Sequence, residues 1–306
     1  MNTSQTNNTG GLRPRDGIQL ILIIAVISAI AVLIFRGNGN GGSVRSGTAA
    51  ARDTLDKVIT RGKLRAGYFV QPPAVMKDPN TGEVTGTFVE AIRAIGEELG
   101  VEVEFIEVDL AKFTAGLQND LYDVSVGPTF RTIKRARVVA FTETIFYLGY
   151  TGITKKGRAG EFATEQDIDR KGVKVAVKEG SAIHTYVRDN FKNAEIIVLS
   201  GTDLTLPLQA VSSGQADVGL MNEHTVEYYL RSHDKTELIL DNNPIQVLGM
   251  AWAVNPDDYR WLQFLNTSLE ALISTGQMAS WEREIYGEKL RRNIIEPAAP
   301  SVRTDN

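Results

Sequence analysis

The stretch Thr132-Ile133-Lys134-Arg135 ends on a guanidinium, a flat fork of donors that matches a carboxylate with two parallel hydrogen bonds, which a lysine cannot reproduce. By residue type alone, a solvated place in the basic cluster Arg131, Lys134, Arg135 and Arg137 is the commoner role for such an arginine. Gly180-Ser181 stands between a strand-like and a helix-like run, where free backbone amides and the helix dipole favour an anion. Ser181 also suits a helix N-cap, the commoner role, and the two are compatible. The histidines His184, His224 and His233 have no paired metal spacing, and Ser181 with His184 is a helical spacing rather than a nucleophile pair. Asp78-x-Asn80-x-Gly82 looks faintly like a calcium loop, but no glutamate closes it and a hairpin turn explains it better. No metal site and no cofactor is expected. The chain has no cysteine, which removes disulfides, thiol catalysis, thiolate metal sites and lipid attachment through an N-terminal cysteine.

The elements that must hold these residues alternate between strand-like and helix-like segments. Strands are expected at 63–70, 101–108 and 123–126, and helices at 88–99 and 111–118, the first with Phe88, Ala91, Ile92, Ile95 and Leu99 on one face and Gly100 just past its end. The pattern repeats from Val173: strands at 173–177, 195–199 and 218–221, helices at 182–191 and 204–213. Two extended apolar stretches, 146–154 and 245–254, fall between and after the two sets, so the chain crosses from a first lobe to a second and returns. Helices at 259–273 and 278–286 would then pack back on the first lobe. The expected fold class is α/β: two lobes joined by a two-strand hinge, with lobe one at 54–151 and 246–290 and lobe two at 152–245.

With 306 residues, 42% hydrophobic and 23% charged, the chain has ample material for such a core, and its net charge of -4 provides no basic field for a nucleic-acid backbone. An apolar run at 18–35, broken only by Gln19 and Ser28, would span about 27 Å as a helix. It is read as an uncleaved transmembrane anchor, preceded by a cytoplasmic segment at 1–17. A cleaved signal peptide is the alternative, against which stand the length of the run and the Phe35-Arg36-Gly37 that follows it. Residues 36–53, rich in Gly, Asn, Ser and Ala, describe a flexible linker, and 291–306 a disordered tail.

The segment Asp123-Val-Ser-Val-Gly-Pro-Thr-Phe-Arg-Thr-Ile-Lys-Arg135, followed by Phe141-Thr142, resembles the first-lobe signature of family 3 extracellular solute-binding proteins. Gly82 to Glu90, Gly180-Ser181 and Gly214-Gln-Ala-Asp-Val218 are similar to further stretches of that family, in the same order, so that the resemblance covers roughly residues 62–288. It implies a periplasmic-binding-protein type 2 fold on the periplasmic or cell-surface side of the membrane. It also implies capture of an amino acid or related small carboxylate, and delivery to an ABC transporter permease.

Carried onto this chain, the resemblance makes Arg135 and the Gly180-Ser181 amides the grip on the ligand carboxylate. Relatives that bind α-amino acids usually take the ammonium with an acidic residue at the position of Asn222 and a hydroxyl at the position of Phe130. Neither is present, which points away from a standard α-amino acid. Glu223, the Pro128 carbonyl and the Thr129 hydroxyl are the candidate substitutes, and Tyr68 and Phe69 the candidate walls.

Family relatives include dehydratases of prephenate-like acids, so an enzyme is the rival reading. It would need a carboxylate with a raised pKa in the cleft, for which Glu90, Glu143, Glu179 and Glu223 are formal candidates, although solvated glutamates are the commoner reading of each. A membrane-anchored ligand sensor is a third reading. Fewer than twenty residues precede the apolar run, which leaves no room there for a signalling domain and favours transport. The chain is expected not to be an enzyme.

Overall fold

The computed structural model describes residues 53–287. The apolar run at 18–35, the linker before Asp53 and the tail from 288 lie outside the described residues. Among those described, no helix is long and apolar enough to cross a membrane.

Lobe one opens with helix α1 (Thr54–Arg61), whose N-terminus is capped by the Asp53 side chain. Strand β1 (Lys63–Tyr68) then pairs in parallel with both β4 (Glu102–Glu107) and β5 (Val124–Phe130). A small hairpin of β2 (Met76–Lys77) and β3 (Val84–Thr85) follows β1 and leads into α2 (Thr87–Glu98). The buried face of α2, with Phe88, Ala91, Ile92 and Ile95, covers the sheet together with Val124, Val126 and Trp252. This is the helical spacing anticipated from sequence. Helix α3 (Phe113–Gln118) is shorter than expected, and α4 (Ile133–Ala136) is a single turn after β5.

Lobe two is built around β8 (Lys174–Lys178), flanked by β9 (Glu195–Leu199) and β10 (Val218–Asn222) in parallel. The helices α6 (Ala182–Asn190), α7 (Leu206–Ser213) and α8 (Glu223–Leu230) belong to it, after a short α5 (Glu165–Ile168). Two long antiparallel strands join the lobes: β7 (Phe146–Lys155) and β12 (Ile245–Val254). Met250, Ala251 and Ala253 of β12 pair with β5 in lobe one, and β7 pairs with β10 in lobe two. The sheet therefore runs unbroken through the hinge, in the order β4-β1-β5-β12-β7-β10-β8-β9, with β6 (Ala140–Phe141) on β12 and β11 (Thr236–Ile239) on β7.

The last helices, α9 (Tyr259–Ser274) and α10 (Gln277–Tyr286), return to lobe one, where Trp261, Leu265, Leu269 and Met278 join its core. The Trp261 Nε1 donates to the Asp123 carbonyl at 2.8 Å, and Thr87 Oγ1 donates to the Tyr286 hydroxyl at 2.7 Å. Each lobe has its own core, and a third apolar cluster joins them, with Phe69, Phe113 and Leu117 of lobe one against Leu204, Leu208 and Met221 of lobe two.

Three differences from the sequence reading have physical causes. Strand β5 runs to Phe130 instead of stopping at Val126, because Thr129 and Phe130 find partners in Ala251 and Met250, some 120 residues later. Strand β1 stops at Tyr68, with Gln71 and Val75 bonded to each other across the turn before β2. Helix α8 has mixed polarity, and its start is signalled by the N-cap Asn222, a residue read from sequence only as part of the ligand site.

Candidate ligand-binding cleft

The end of β5 brings Pro128, Thr129 and Phe130 to the boundary between the lobes. Thr132 caps the single-turn α4 by accepting from the Arg135 amide at 3.2 Å, and this turns the Arg135 side chain back toward the cleft. Its Nη1 donates to the Phe130 carbonyl at 2.9 Å and its Nη2 to the Gly180 carbonyl of lobe two at 2.8 Å. The guanidinium carbon stands 5.4 Å from the centre of the Phe113 ring. Burial lowers the Arg135 pKa from its ordinary value, while the Tyr150 hydroxyl pulls it the other way.

Lobe two meets this arginine with the turn between β8 and α6. Gly180 has φ +74°, and a Cβ there would lie 2.7 Å from the Ala111 Cα of lobe one, so only glycine permits the approach. Ser181 is both cap and anchor: its Oγ accepts from the His184 amide at 3.1 Å and donates to the Lys178 carbonyl at 2.6 Å. The next amides, of Ala182 and Ile183, act on the hydroxyl of Tyr150 from hinge strand β7 and favour its ionised form. Burial pushes Tyr150 up to about 12, against Arg135 and those amides, so the phenol is protonated at neutral pH. Its ring centre is 4.8 Å from that of Phe130.

Asn222 ends β10 and caps α8, its Oδ1 accepting from the Thr225 amide and its Nδ2 donating to Thr225 Oγ1, both at 3.1 Å. Thr225 Oγ1 in turn donates to the Pro72 carbonyl of lobe one at 2.8 Å. Between these groups lies an inner cavity of about 10 Å³, lined by Gln71, Leu110, Pro128, Phe130, Arg135, Tyr150, Ser181, Leu204, Met221 and Asn222. Outside it opens a groove of about 900 Å³ that shares Leu110, Arg135 and Ser181 and adds Arg131, Lys134, Arg137, His184 and Arg188. Burial, Arg188 and Lys134 together lower the His184 pKa.

Of the residues singled out from sequence, Arg135, Pro128, Phe130, Ser181 and Asn222 meet around the inner cavity, and Gly180 supplies the carbonyl that Arg135 holds. Thr129 is buried, its hydroxyl donating to the Gly127 carbonyl of its own strand. Glu223 points away, with Oε2 accepting from the Gly149 amide on β7 at 2.9 Å. Tyr68 packs edge-on against Phe105, and Phe69 against Phe113, in the cores rather than on the cavity wall.

Sequence reasoning missed Gln71, Leu110, Tyr150, Leu204 and Met221. Gln71 comes three residues after the end of β1 and precedes Pro72-Pro73, a turn signal that marks where a strand end faces the cleft. Tyr150 carries a weaker signal, a phenol at the centre of an extended stretch that has to cross between lobes.

A family model for bacterial extracellular solute-binding proteins, family 3, matches residues 64–288. The chain belongs to that family. This solute-binding protein is 26% identical to the ABC transporter glutamine-binding protein of Bacillus subtilis over 281 residues, covering 90% of this chain and 99% of the relative. It is 25% identical to the cyclohexadienyl dehydratase of Pseudomonas aeruginosa over 189 residues, 62% of this chain and 69% of the enzyme. Among solved structures, it resembles an ancestral amino acid-binding protein described as a precursor of cyclohexadienyl dehydratase, at 25% identity and a TM-score of 0.69, covering 76% of this chain and 99% of that one. Its relatives are mainly amino-acid-binding proteins of ABC transporters.

Proposed function

We propose that this protein captures an amino acid or related small carboxylate between its lobes and delivers it to the permease of an ABC transporter. In this reading it is held on the extracytoplasmic side by the apolar run at 18–35. Lobe one, at 54–151 and 246–290, contributes Arg135; lobe two, at 152–245, contributes the N-terminus of α6. The observation that carries the reading is the reach of Arg135 from β5 and α4 to the Gly180 carbonyl at 2.8 Å, across the lobe boundary.

The cavity has room for about one water molecule, so a ligand enters only when the lobes part. Parting breaks the bond to Gly180 and frees one arm of the fork. A carboxylate takes that arm and displaces the Phe130 carbonyl from the other, with the amides at the start of α6 offered to the same oxygens. Closure about the ligand follows because both lobes contribute to one grip.

The dehydratase reading gains no support at the inner cavity, which none of Glu90, Glu143, Glu179 and Glu223 lines, Glu179 standing on the outer groove. A sensor would use the same clamp, and the kinship with transporter binding proteins favours delivery. Thermal-shift measurements on the full chain in detergent, with a panel of amino and organic acids, should show stabilisation by at least one carboxylate, abolished in Arg135→Ala. A panel with no shift, or a shift that survives Arg135→Ala, contradicts the proposal.

A further inference from the structure

The inner cavity carries charge of one sign only. Arg135 is the single charged side chain among the described residues that line it, and no carboxylate stands on its wall. Glu179 stands outside it on the groove, accepting from the Ser200 hydroxyl, and other acids of the region are held elsewhere. Glu223 accepts from the Gly149 amide, Asp203 from the Thr205 amide and hydroxyl and from Gln209 Nε2, Asp109 from the Ala111 and Gly201 amides, and Glu107 from Lys77 Nζ. Asn222 is 1% exposed and has both ends of its amide bound to Thr225. The polar side chains left on the wall, those of Gln71, Ser181 and Tyr150, are neutral.

A carboxylate brought to Arg135 cancels the buried charge. A zwitterion does not. Its ammonium would be desolvated in the same cavity, with neutral oxygens to bond but no counter-charge, and with the guanidinium close by as a like charge. A 2-oxo or 2-hydroxy oxygen in the same place asks only for a neutral partner, which Gln71 and Tyr150 can be. Resting on the proposed capture of a carboxylate by Arg135, we infer that the ligand is a small carboxylate without a cationic amine, of the 2-oxo or 2-hydroxy acid class, rather than an α-amino acid.

The test is calorimetric titration of the full chain in detergent with matched pairs: pyruvate and alanine, 2-oxoisovalerate and valine, 2-oxoglutarate and glutamate, phenylpyruvate and phenylalanine, with the 2-hydroxy acid of each. At least one oxo or hydroxy acid should bind, with its amino partner weaker by at least about tenfold. Asn222→Asp keeps a good N-cap and adds the missing charge on lobe two, so it should shift the ratio toward the amino acid by at least about tenfold. Gln71→Glu adds a charge from lobe one and should act in the same direction, which guards against a folding defect in the first variant. An amino acid that binds wild type as tightly as its oxo and hydroxy partners overturns the inference and leaves carboxylate capture standing. Binding by none of the compounds overturns both.

Discussion

Arg135 ends a motif that is readable in the sequence, yet its partners are not. The guanidinium holds two carbonyls, one on each lobe, so its fork is already aimed along the cleft before an anion arrives. Lysine has a point charge and no fork, so Arg135→Lys should weaken carboxylate binding by about 1.5–3 kcal/mol, the usual worth of a hydrogen bond to a charged group. Calorimetry checks this, and an unchanged Kd speaks against bidentate recognition. Glu223 is the residue where charge alone misled: its sequence neighbour Asn222 is on the cavity wall, but the first turn of α8 rotates the glutamate onto the hinge strand. Burial raises its pKa above the ordinary 4.5, with Asp241 adding to the rise and the Gly149 amide opposing it. The folded protein therefore binds this proton more tightly than the unfolded chain. Its contribution is whole below 4.5 and is lost as pH rises through the raised value. Glu223→Gln cannot titrate, so its Tm relative to wild type should climb between about pH 4 and neutrality. A constant difference over that range would mean that the carboxyl is not perturbed.

At the scale of elements, what could be read was what is periodic. The α2 face, the β8–α6 turn and the two crossing strands all follow from local spacing. The extension of β5 could not be read, because its partner β12 lies far along the chain, and that extension is what carries Pro128 and Phe130 to the site. Gly127, in the middle of β5, is there because Phe69 lies over it: an added Cβ would sit 2.5 Å from the Phe69 ring. Phe69 is fully buried and edge-on to Phe113, the ring over which Arg135 rests, so it has little space to yield. Gly127→Ala should cost about 1–3 kcal/mol, the range for overpacked cores. Chemical denaturation gives the number, and a variant as stable as wild type would show that the wall beneath the site is loosely packed.

Over the whole molecule, the two lobes are held together by contacts that no motif announces. The Leu204 amide donates to the Val70 carbonyl at 3.1 Å, and Asp109 of lobe one accepts from the Gly201 amide of lobe two at 3.1 Å. The Lys178 ammonium, fully buried, stands 4.0 Å from the same Asp109 carboxylate, and burial lowers its pKa. Asp109 does not line the inner cavity, so Asp109→Asn should act only through the balance of open and closed lobes and reduce ligand affinity by roughly three- to thirtyfold. The central claim is narrower than closure: one carboxylate is held by one arginine in a cavity between two lobes. It is tested most directly by titrating the full chain with the best-binding carboxylate of the panel and with its methyl ester, which keeps the shape and removes the charge. The ester should bind at least about a hundredfold more weakly, as expected when a buried charge loses its partner. Equal affinity for acid and ester would contradict the claim.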